Sequence, residues 1–264
     1  MTAIILRDKR AIEAYLRRNP ALHVYEIGDL DDFFWPHTTW YGLQEDDRIQ
    51  ALALLYTGGD LPVLLAMASP PATALAELLT QATSLLPLRF YAHLSPEARD
   101  ALTPHYILEP YGLHLKMALT NPDQLTGINT TAVERLSLAA VDELQAFYAH
   151  SYPGNWFDPR MLETGQYFGM RDNNGTLLSV AGVHVYSADQ RVAALGNITT
   201  LPSARGRGLA TTVTAALCRS LLHTVDLIGL NVRADNAAAV ACYRRLGFSV
   251  VAEYEEHLLR HHEQ

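Results

Sequence analysis

Two short stretches hold the residues whose types and spacing can do chemistry. In "LPSARGRGLATTV" (201–213), Arg205, Gly206, Arg207 and Gly208 stand together just before an apolar pattern with helical spacing. Glycine at 206 and 208 admits positive φ and lets a ligand approach the backbone without meeting a Cβ. The first amides of a helix have no intrahelical partners and sit at the positive end of its dipole. With two arginines beside them, such a turn suits an anion, best a phosphate or pyrophosphate. The GxxxxGK[ST] phosphate loop is absent, and Thr211 stands where the GxGxxG dinucleotide turn has its third glycine. An incidental surface loop is the competing reading. In the second stretch, Asn236 sits where a strand gives way to a helix, as an N-cap does. Tyr243 follows seven residues later, two turns along the same face and about 10 Å from the cap. The helix stops at Leu246-Gly247-Phe248, with Gly247 suited to the left-handed C′ position. Taken singly, Asn236 reads as a plain cap and Tyr243 as a plain core aromatic.

The elements that must hold these residues follow from periodicity. Residues 192–201 read as a strand, and 207–224 as a helix in which Leu209, Val213, Leu217 and Leu221 recur every fourth residue. Residues 226–232 and 248–259 are strands around the helix 236–247. Upstream, strand 133–139, helix 140–152, a short helix opened by Asp158 and Pro159, and strands 166–171 and 176–187 give the order β-α-α-β-β-β-α-β-α-β. The first half repeats this order from helix 9–18 to strand 106–119, without repeating the sequence. Where the second half has "PSARGRGLATT", the first has "ASPPATALAEL", with neither glycine nor arginine. The Asn-, Thr- and Gly-rich stretch 119–136 divides the halves. The expected domains are 1–120 and 133–264, with 121–132 as linker.

Composition narrows the function classes. The chain has 264 residues, 49% hydrophobic and 18% charged, which predicts a folded globular protein rather than a disordered one. A formal net charge of −8 disfavours a nucleic-acid partner. The two cysteines, Cys218 and Cys242, fall in helical stretches and read as reduced thiols. HExxH and paired CxxC spacings are lacking, so no metal is expected. A basic leader and a run of about 18 apolar residues are both lacking, which predicts a cytoplasmic protein without a membrane partner.

Taken together, these motifs resemble the GNAT acyltransferase superfamily over residues 130–260. Its R/Q-x-x-G-x-G/A hallmark is met by Arg205, Gly206, Arg207, Gly208, Leu209 and Ala210, and its second hallmark by Asn236, Tyr243 and Leu246-Gly247-Phe248. The resemblance implies two tandem α/β domains of GNAT-like fold, each a mostly antiparallel mixed sheet flanked by helices, with a degenerate N-terminal copy. It implies acetyl-CoA or another acyl-CoA as cosubstrate. The glycine turn would cradle the pyrophosphate, and Ile198, Thr199 and Thr200 would offer backbone groups to the pantetheine arm. Asn236 would face the cofactor, and Tyr243 would sit near the sulfur as its proton donor. A backbone amide near Thr199 or Thr200 would meet the oxyanion.

The implied reaction is acetyl transfer to a primary amine on a small molecule or peptide. Many relatives place an acid in the strand before the turn, whereas "VAALGNITTL" has none. His184 on the preceding strand, or water, is left to take the amine proton. Acids and aromatics cluster at 28–42 and 152–159, a composition suited to a cationic amine, and 152–159 follows the first helix of the second half, where the superfamily builds its acceptor lid. A non-catalytic acyl-CoA sensor or partner-binding module is the alternative. RNA binding through RGRG fits poorly with a single repeat inside a patterned strand–helix unit. Oligomeric state stays open, with a homodimer allowed.

Overall fold

The computed structural model describes residues 1–262. The chain forms two compact units. One comprises Met1–Lys116, Val232–Asp235 and Val250–Gln264, and the other Met117–Asn231 and Asn236–Ser249.

The first unit runs β1 (Thr2–Leu6), α1 (Lys9–Leu16), α2 (Val24–Gly28), β2 (Thr38–Glu45), β3 (Arg48–Tyr56), β4 (Val63–Ala66), α3 (Thr73–Ala82), β5 (Arg89–Leu94), α4 (Pro96–Leu102) and the start of β6 (Tyr106–Leu119). Strands β1 to β4 pair antiparallel in sequence order, and β4 pairs β5 in parallel. The α3 stripe of Leu75, Leu78, Leu79 and Ala82 closes one core over Leu43, Leu64 and Phe90. Burying each such leucine contributes about 1.5–3 kcal/mol.

The second unit continues with β7 (Val133–Arg135), α5 (Val141–Ser151), β8 (Phe168–Arg171), β9 (Leu177–Ser187), β10 (Val192–Thr200), α6 (Leu209–Leu221), β11 (Leu227–Arg233), α7 (Ala237–Arg245) and the start of β12 (Phe248–His261). Strands β7 to β10 pair antiparallel, and β10 pairs β11 in parallel. The α6 stripe read from the sequence is the buried one: Leu209, Val213, Leu217 and Leu221 all lie in the core. Val192–Leu195 of β10 are buried in succession, which explains why this strand reads as an apolar run rather than an alternation. Each unit is the mixed, mostly antiparallel sheet expected.

The division differs from the expected boundary in its last strand. β12 starts in the second unit, but Glu255–Arg260 pair antiparallel with Leu94–Arg89 of β5, so the C-terminal strand completes the first unit's sheet. Sequence distance carries no trace of such a pairing. Two elements were also not expected. β1 is an edge strand with Ile4 and Ile5 exposed, and α2 is a five-residue helix without a side-chain cap. Neither is long enough to show a period. No helix among the described residues is long and apolar enough to cross a membrane.

Candidate active site

The second unit's site begins where β10 leaves β11. Their parallel register runs from Val192–Leu227 to Leu195–Leu230, although both strands continue beyond it. Just past Leu195 the register of β10 against β9 shifts between Gly196 and Thr199, and Asn197 takes φ +55°. Asparagine tolerates this left-handed conformation because its short amide can bond locally, and the extra residue makes a bulge that bends the strand.

Side chains pin the bulge from all sides. Buried Asn197 donates from Nδ2 to the Tyr167 hydroxyl (2.9 Å), and its Oδ1 accepts from Asn155 Nδ2 (3.1 Å) and lies 3.3 Å from His184 Nε2. The Tyr148 hydroxyl donates to its backbone carbonyl at 2.9 Å. Glycines make room for this network: a Cβ on Gly182 would strike the Tyr167 ring, and one on Gly196 the His184 ring. Trp156, from the acid-and-aromatic stretch 152–159, packs edge-on against His184 with ring centroids 5.8 Å apart. Beyond the bulge, Thr199 and Thr200 pair with Val180 and Ser179 of β9, and the Ser179 hydroxyl bonds the Thr199 carbonyl and the Thr200 hydroxyl. Ile198 and Thr199 remain half-buried. The side of β10 that faced β11 is thereby released from the parallel ladder over Gly196–Thr200.

The chain then reaches the glycine turn. Gly206 and Gly208 have φ +76° and +78°, and no heavy atom lies within 4 Å of where a Cβ would stand on either. Positive φ therefore requires glycine here, and the space beside both residues is open. Gly208 is the N-cap of α6, and no side chain caps the helix, so its first-turn amides point outward unclaimed by a cap. Arg207 is exposed and lines a cavity of about 450 Å³ together with Leu209 and Thr212. Ala210 follows half-buried in the first turn. Arg205 is differently engaged: its guanidinium donates to the Thr200 and Ser151 carbonyls at 3.2 and 3.3 Å, bracing the turn.

The α7 residues complete the arrangement. Asn236 is exposed, and its Oδ1 caps the helix by accepting from the Ala239 amide at 3.1 Å. Asn236→Ala is expected to cost about 1 kcal/mol of stability by urea unfolding, the usual loss of such a cap. Tyr243 is buried with its ring against Phe248. Burial pushes its hydroxyl well above the ordinary tyrosine pKa, and Cys242, Tyr152 and Cys218 add to the shift. The Thr211 hydroxyl lies 3.2 Å from Cys242 Sγ, tying α6 to α7. Gly247 has φ +93°, and a Cβ there would stand 2.0 Å from the Asn121 carbonyl oxygen, so this position excludes every side chain.

The first unit's counterpart is built differently. Its β4 ends at Ala66 and stays paired with β5 over all its residues, Val63–Ala66 to Tyr91–Leu94. Ala68, Ser69 and Ala72 stand where the second unit has its glycine turn, and with Tyr15, Arg18 and His23 they line a separate cavity of about 240 Å³.

The sequence pointed to the turn, to Tyr243 and to His184, but not to the bulge or to its supports Tyr148 and Tyr167. The signal was the Gly196-Asn197 pair inside an apolar strand, a combination that marks a bulge when it interrupts a strand pattern. Among the described residues, no group of three or more His, Cys, Asp or Glu is placed to hold a metal ion.

A parallel pair parted by a bulge, followed by a glycine turn onto a helix, agrees with the GNAT-like fold that the resemblance implies. Residues 134–248 match the model of the Acetyltransferase (GNAT) family. The mycothiol acetyltransferase of Mycobacterium sp. (strain JLS) is 36% identical over 103 residues, which is 36% of this chain and 31% of that protein. The chain thus aligns with less than a third of the curated relative's length. The whole chain shares its fold with a Drosophila protein (TM-score 0.72, 16% identity, 97% and 98% of the two chains). It likewise shares it with a tandem GNAT protein from the clavulanic acid biosynthesis pathway (TM-score 0.54, 15% identity, 98% of each).

Proposed function

We propose that this protein is an N-acetyltransferase whose second unit binds acetyl-CoA and transfers its acetyl group to a primary amine of a small molecule or peptide. The observation that carries this reading is the release of β10 from β11 at Leu195, leading directly into a turn with two positive-φ glycines and open space beside both. Acetyl-CoA, when bound, supplies a thioester activated toward amines. The residues present fit it. The turn amides and Arg207 would hold the pyrophosphate, and the backbone of Ile198, Thr199 and Thr200 the pantetheine arm. Tyr243 keeps its proton through the neutral range, as a donor to a departing sulfur must. No carboxylate lies on β10, so removal of the amine proton falls to His184 at the bulge or to water. The relatives named mycothiol acetyltransferase support acetyl as the group transferred. The same reading places the protein in the cytoplasm, with neither nucleic acid nor membrane as partner.

Calorimetric titration with acetyl-CoA tests the site. The wild type should bind, and Gly208→Val should lose at least about 10-fold in affinity, because a β-branched side chain at φ +78° is strained and fills the open space. Circular dichroism checks that the variant is folded. Equal binding by the two proteins would remove the cofactor from this turn. The absence of a carboxylate on β10 favours one rival, an acyl-CoA-binding module without turnover. Acetyl-CoA binding with no transfer to any member of a broad amine panel would establish that rival.

A further inference from the structure

Asn231 is the first residue of β11 beyond the last rung with β10, which joins Leu195 to Leu230. Continued by one step, the register would set Gly196 opposite it, but the pairing with β11 stops short of that step, and β10 bulges between Gly196 and Thr199. The Asn231 Oδ1 atom is buried and accepts no hydrogen bond. A buried amide oxygen without a donor carries its full desolvation penalty, and native structures tolerate few of them. This one lies on the strand that lost its neighbour, at the position where the loss begins. An apolar side chain of similar volume would fill the same place without that penalty.

We infer that Asn231 Oδ1 accepts a hydrogen bond from an amide N–H of the pantetheine arm of the bound acyl-CoA. The inference rests on the acyl-CoA reading given above and adds a side-chain contact from β11 to the backbone contacts expected from β10. An arm lying between two parted strands turns one edge to each of them. β10 answers its edge with main-chain groups past the bulge, and Asn231 answers the other with an unclaimed acceptor. This geometry selects a ligand with an amide donor at that depth. A nucleotide lacking the arm would not reach the residue.

The test compares two probes by calorimetry on the full chain: acetyl-CoA, and adenosine 3′,5′-bisphosphate, which has the nucleotide but no arm. Asn231→Leu should weaken acetyl-CoA binding by about 10-fold or more, the usual effect of leaving a buried donor unpaired. It should leave bisphosphate affinity within about threefold. Asn231→Asp, which keeps an acceptor oxygen, should bind acetyl-CoA within about threefold of wild type on the same scale. Should the leucine variant fail to fold, Asn231→Ser, too short to reach the arm, takes its place with the same expectation. Wild-type acetyl-CoA affinity in Asn231→Leu overturns the proposal, as does an equal loss for both probes. A wild-type protein that binds neither probe overturns the acyl-CoA reading itself, an outcome distinct from both.

Discussion

Replacing Lys116 with methionine is expected to destabilise the first unit by about 3–5 kcal/mol at neutral pH, the usual cost of removing one partner from a buried ion pair. Lys116 is fully buried. Its Nζ donates to the Leu22 carbonyl at 2.7 Å, lies 3.9 Å from Glu26 Oε2, and stands 5.1 Å from the centroid of the Tyr25 ring. Burial opposes ionisation of Glu26, but Lys116 and the His23 hydrogen bond outweigh it and hold the carboxyl at about 2. Methionine fills similar space yet leaves Glu26 Oε2, which has no hydrogen-bond partner, without a nearby cation. The sign of the pH dependence follows from the lowered pKa. Glu26 stabilises the fold above its unfolded value near 4.5, and that contribution is lost as pH falls from there toward 2. The gap between wild type and Lys116→Met should therefore narrow over that acid range. Adding Glu26→Gln to the variant should recover part of the loss, as a double-mutant cycle would report. Urea unfolding followed by tryptophan fluorescence suits the measurement, because Trp35 and Trp40 stack in this unit with centroids 6.0 Å apart. A loss below about 1 kcal/mol, the range of surface pairs, would mean that the pair contributes no more than they do.

Tyr243→Phe should lower kcat by about 10²–10⁴-fold with any amine the panel identifies, the range typical of losing a general acid. Acetyl-CoA affinity should change little, since the ring that packs against Phe248 is kept. Burial raises the Tyr243 pKa, so the acid form persists through pH 10, and the wild-type rate should show no decline from its ionisation below that pH. The stability linkage has the same sign. The raised pKa favours the fold while the hydroxyl is protonated, and that contribution fades only as pH climbs through the folded value. A kcat within about threefold of wild type would remove Tyr243 from the chemistry and leave it as a core aromatic.

The amino-acid sequence by itself determined the local parts of this protein. The α6 stripe, the glycine turn, the Asn236 cap and the Gly247 stop are all set by short-range sterics and by helical period, so neighbouring residues suffice to read them. The type of each unit was legible for the same reason: strands and helices of this length announce their periods, and the order of elements leaves few sheets to build. The tertiary structure decided what depends on distant partners. That Asn197 is bulged and not simply extended rests on Tyr148, Tyr167, His184 and Asn155 converging on it, and no local rule brings them together. The two backbone carbonyls that the Arg205 guanidinium meets, on Thr200 and Ser151, are likewise placed by the fold. Asn236 caps its helix as its place between strand and helix indicates, whereas the missing partner of the buried Asn231 Oδ1, on an apolar strand, shows only in the fold. The last strand serves the first unit because β5 offers it a ladder, and backbone hydrogen bonding is indifferent to sequence separation.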